Sequence, residues 1–211
     1  MNAINKLNQD YRENKLYYLM VLIFFCVGIA LGTYMVKYMS ASDTSDLASY
    51  FSSFIEGIID NPVDSNKLFF SVLRKSLPLV ILIILFGFTF FGVPLILIID
   101  LIKGFTLGYT FSFLLTTIEG SGVWLAIAAV LPQNILYIPT FIAISIISIE
   151  FSSNKLRDKF FNKNKTNRIV EKKVIYILGV FLCLFILGTI IETFLSPKII
   201  KFVITRIYKI T

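Results

Sequence analysis

The chain reads as an all-α integral membrane protein, a polytopic bundle of about five transmembrane helices with a short extracytoplasmic amphipathic helix. Three observations carry that reading. Long apolar stretches of bilayer-crossing length recur along the chain, basic residues concentrate in one connection, and the roughly ten-residue segments of alternating polarity that a barrel requires are absent. Hydrophobic residues make up 56% of the 211. So much apolar sequence leaves no room for a separate soluble domain with its own core, and residues 1–211 are expected to form a single transmembrane domain.

The first span is assigned to 16–36, which carries no charge. Its apolar run exceeds the roughly 7–15 residues of a signal-peptide core, so it is expected to be retained. Leu77–Ile118 covers 42 residues, too many for one crossing of about 20. The helix-breaking Gly92-Val93-Pro94 divides it into spans 77–91 and 94–118. A fourth span, 123–149, is uncharged, and a fifth, 174–195, carries only Glu192.

Charge sets the orientation. Eight of the 20 Lys and Arg residues fall in 150–173, which marks that loop as cytoplasmic. The segment 38–76 holds Asp43, Asp46, Glu56, Asp60 and Asp64 and is expected outside, so the N-terminus is cytoplasmic and the localisation a bacterial cell membrane. The net charge of +7 is thereby a topology signal, and no nucleic-acid partner is expected. Within 38–76, Leu47, Tyr50, Phe51, Phe54, Ile55, Ile58 and Ile59 recur at helical spacing behind Asp43, Thr44 and Ser45, which serve as caps. Asn61-Pro62 stops that helix, and another starts at Asp64 or Ser65 and runs into the second span. The tail, 196–211, places Lys198, Lys201, Arg206 and Lys209 on one side and apolar residues on the rest. It is too short to span and reads as an amphipathic helix on the outer leaflet, a re-entrant span being the alternative.

Polar residues at bilayer depth need a partner or a purpose. Asp100 and Lys103, three apart, predict a local ion pair. Glu192 is expected to reach water at the end of the last span. Gly28/Gly32 and Gly104/Gly108 form two GxxxG patterns, suited to close helix packing within the monomer. Pro132, Gln133, Asn134 and Pro139 interrupt the fourth span with two missing donors and two side-chain amides. They predict a kinked packing element, with a midplane transport site as the alternative. Cys26 and Cys183 are expected as small core hydrophobes. With no His in the chain, no nucleophile–base pair and no phosphate-cradling loop, neither an enzyme nor a cofactor nor a bound metal is expected.

This order of parts resembles the stage II sporulation protein M family. A short start and first span are followed by an acidic outer segment and a third span bearing Lys103-Gly104-Phe105-Thr106-Leu107-Gly108. A fourth span with Pro132, Gln133, Asn134 and Pro139, a basic loop and a last span complete it. The resemblance implies a non-enzymatic scaffold of the mother-cell septal or engulfing membrane. Such a scaffold recruits peptidoglycan hydrolases resembling stage II sporulation proteins P and D, for septal wall thinning and forespore engulfment. Besides the lipid bilayer and those hydrolases, a second copy of the chain stays open as a partner. A transporter or permease subunit with its site around Pro132–Pro139 is the alternative function.

Overall fold

The computed structural model describes residues 2–60, 65–117, 122–161 and 168–207. Among them, every regular element is a helix: α1 (Asn2–Lys37), α2 (Ala41–Asp60), α3 (Ser65–Gly87), α4 (Gly92–Thr117), α5 (Gly122–Phe161), α6 (Arg168–Phe194) and α7 (Ser196–Ile207). Five of these, α1, α3, α4, α5 and α6, contain stretches long and apolar enough to cross a membrane. The all-α polytopic fold is therefore the observed one.

α5 is the axis of the bundle. It packs against α1, α3, α4, α6 and α7, and 56% of its span is buried against 11% for α3. Val80, Ile83, Ile96, Phe141, Ile144, Ile149 and Phe185 form the main core. In lipid these side chains gain little from leaving their surroundings, so interdigitated packing supplies their cohesion. Cys26 and Cys183 are exposed on the bundle surface, not in the core as their apolar setting suggests.

Several boundaries differ from the sequence reading. The second span ends at Gly87, before the expected Phe91, and the break occupies residues 88–91. Phe88 N and Thr89 N donate to Leu85 O and Phe86 O, tightening the last turn, and Ser152 Oγ donates to Thr89 O at 2.7 Å. Gly92 opens α4 where a Cβ would strike Phe86 O. Pro94 then falls in the first turn of α4, where a missing N–H costs nothing. Pro78 lies inside α3 without ending it. The basic 150–173 connection is helical at both ends, since α5 runs to Phe161 and α6 starts at Arg168.

At the other end of the bundle, α2 starts one turn before the expected caps. Ser40 Oγ accepts from Asp43 N at 3.2 Å and donates to Asp43 Oδ2 at 2.6 Å, so Ser40 and Asp43 form a reciprocal cap. Leu47 and Phe51 seat α2 on a second cluster of Val36, Phe113, Leu114, Ala126 and Val130. The expected stop at Asn61-Pro62 and start at Asp64 lie outside the described residues. α7 follows α6 through a hydrogen-bonded bend at Leu195, and it touches α2.

Candidate functional site

The two GxxxG patterns meet each other. α1 and α4 run parallel, and Gly28 faces Leu101 O and Phe105 N while Gly32 faces Phe105 O and Tyr109 N. From the other side, Gly104 faces Phe25 O and Ile29 N, and Gly108 faces Ile29 O. At all four positions an added Cβ would land on the neighbouring backbone. Only glycine permits that approach.

On the far side of α4 from this seam, α3, α4, α5 and α6 leave a cavity of about 330 Å³. Lys75 and Ser76 line it from α3; Lys103, Thr106 and Thr110 from α4; Gln133, Asn134 and Tyr137 from α5; and Glu192 from α6. Lys103 lies about 16 Å along α4 from Gly92 by the helical rise, so the cavity is deep in the bilayer. Its ammonium sits 5.6 Å over the Tyr137 ring. The Tyr137 hydroxyl donates to Thr189 Oγ1 at 3.2 Å and also lies against Glu192. Gly188 leaves room for the Tyr137 ring. Glu192 is within electrostatic reach of both Lys103 and Lys75. It is half-buried against the cavity, not directed to water as its place near the span end suggests.

The amides of the proline-flanked stretch divide their work. Asn134 Nδ2 donates to Val130 O of its own helix at 2.7 Å, while Ser196 Oγ at the start of α7 donates to Gln133 Oε1 at 2.9 Å. Pro132 and Pro139 both lie inside α5, which stays helical through them. Pro132 also belongs to an apolar groove between α5, α6 and α7, with Trp124, Ile135, Ile191 and Val203.

Asp100 does not join the cavity, and it does not pair with Lys103. It is fully buried and accepts a 2.6 Å hydrogen bond from Ser145 Oγ, while its Oδ2 and the nearby helix neighbour Ser148 Oγ have no hydrogen-bond partner. Three residues along a helix are about 300° of rotation, which here turns Asp100 toward the serine face of α5 and Lys103 toward Tyr137. The sequence reading found Lys103, Gln133 and Asn134 but missed Lys75, Tyr137 and the role of Glu192. Lys75 looked like a flanking charge, and the aromatic signal of Tyr137 was lost among the neighbouring prolines and amides.

Fold and cavity together define a polytopic helical membrane protein built around one central helix, with two amphipathic helices at one end and a charged cavity inside. The chain belongs to the stage II sporulation protein M family, whose family model matches residues 21–197. The match begins within the first span, takes in α2 and the other four spans, and stops at the start of α7. It is thus a member of a sporulation-related family of membrane proteins. No curated protein and no solved structure matches the chain.

Proposed function

We propose that this protein is a non-enzymatic membrane scaffold that recruits peptidoglycan hydrolases resembling stage II sporulation proteins P and D. Its place of action is the septal or engulfing membrane of a sporulating mother cell, with α2 and α7 on the extracytoplasmic side. Membership of the stage II sporulation protein M family is the observation that carries this reading. The structure adds a surface suited to it. α2 is fixed to the bundle through Leu47 and Phe51, which leaves Tyr50, 76% exposed, and the acidic Asp43 and Asp46 accessible on its surface. Exposed aromatics beside fixed charge are typical anchors for protein partners.

The test is a pull-down of the tagged full chain from sporulating cells, read by mass spectrometry. Wild type is expected to recover wall hydrolases, and Tyr50→Ala with Asp46→Lys is expected to lose them at unchanged protein level. Equal recovery by the double variant would sink α2 as the docking surface, and no recovery by wild type would sink the scaffold. The cavity around Lys103, Gln133 and Glu192 favours a second reading as a transporter subunit. That reading requires substrate-dependent flux in liposomes, which the scaffold reading does not.

A further inference from the structure

We propose that the cavity between α3, α4, α5 and α6 binds a phosphate-type anion through Lys75 and Lys103, with the headgroup of an anionic membrane lipid as its source. The charge balance is the first reason. Among the described residues the cavity lining holds two lysines and one carboxylate, Glu192, and Asp100 is turned away to Ser145. One cation therefore exceeds the local anions at a depth where uncompensated charge is costly. Gln133 adds an amide group to the same space, while the Thr106 and Thr110 hydroxyls and the Asn134 amide donate to Ile102 O, Thr106 O and Val130 O of their own helices. The two ammonium groups are therefore the donors on which an oxyanion would depend.

The route of entry is the second reason. Leu107, Ala129 and Val130 line the cavity and also belong to the cluster that Leu47 and Phe51 of α2 cover. The helix end is thus roofed by α2. Lys75, Thr106 and Thr110 are exposed, so the opening is lateral, between α3 and α4, where lipid rather than water is the neighbour.

The third reason is depth. On α3 the uninterrupted apolar stretch begins only after Arg74, Lys75 and Ser76, and from Leu77 through the aromatic turn to Phe91 it spans at most about 22 Å. A bilayer core is about 30 Å thick. A short apolar face is met by thinning of the adjacent leaflet, which lowers headgroups beside α3 to the level of Lys75. Basic pockets between transmembrane helices select anionic headgroups. The apolar Leu79, Leu107 and Val130 remain to contact the first carbons of the lipid.

Native mass spectrometry of the detergent-solubilised full chain, titrated separately with phosphatidylglycerol, phosphatidylcholine and inorganic phosphate, tests this. Wild type is expected to retain phosphatidylglycerol over phosphatidylcholine. Lys75→Gln and Lys103→Gln should each weaken that retention about fivefold, and Glu192→Gln, which removes the competing carboxylate, should strengthen it. Equal retention of the two lipids, or lysine variants that hold phosphatidylglycerol as wild type does, would overturn the proposal. Inorganic phosphate bound in place of phosphatidylglycerol would overturn lipid as the source while leaving the anion site. If Lys103→Gln does not fold, the exposed Lys75→Gln and the opposite-signed Glu192→Gln decide the matter.

Discussion

Asp100 and Lys103 show how far a charge pattern goes. Their spacing invites pairing, yet each is claimed by a different helix face, Asp100 by Ser145 and Lys103 by the Tyr137 ring. Asp100→Asn keeps an oxygen that can accept from Ser145, and it removes charge from an oxygen that has no partner. We therefore expect Asp100→Asn and Lys103→Gln to be independent. Thermal unfolding of both single variants and the double variant should show additivity within about 0.5 kcal/mol. A coupling clearly above that would restore the ion pair. The presence of costly polar groups was legible from the chain, because hydropathy marks every charge inside a span. Their partners were not, because Ser145 and Tyr137 approach only through tertiary packing.

Among the elements, the number and place of the membrane helices were legible because hydropathy is a property of local sequence. Their ends were less so. Pro78 stays inside α3, and the break near Gly92 falls at 88–91, because carbonyls there find Ser152 and turn donors instead of a helical ladder. Which helices pair could not be read at all, although the glycines that permit the closest pairing could. Substitution separates those glycines by role. Gly104→Ala would drive a Cβ into Phe25 O, whereas Gly179 has nothing within 4 Å. Size-exclusion profiles and melting curves should show Gly104→Ala losing most of its folded protein. Gly179→Ala should hold or gain stability, by up to about 1 kcal/mol from helix propensity. Equal damage at both positions would mean that the seam is not what makes glycine necessary.

For the whole molecule, the charge asymmetry fixes the expected sidedness, with the α2 and α7 end outside. In a background lacking Cys26 and Cys183, Asp43→Cys is expected to react with a membrane-impermeant maleimide on intact cells. Lys155→Cys should react only after permeabilisation. The reverse pattern would invert the protein and with it the face proposed for hydrolase docking. The cavity is also a property of this scale. Its three charged residues among those described, Lys75, Lys103 and Glu192, come from three different helices, and no local window of sequence contains more than one of them.

The seam between α1 and α4 carries a consequence for the order in which the protein is made. Gly28 leaves the ribosome long before Leu101 and Phe105, the backbone it must meet. At translation rates of about 5–20 residues per second, α1 waits in the bilayer for roughly 4–15 s before its partner exists. During that interval its glycine face is bare, since α3, made before α4, does not pack against α1 among the described residues. Until α4 arrives, the face that will meet Leu101 and Phe105 is open to the glycine stripe of any other newly made chain.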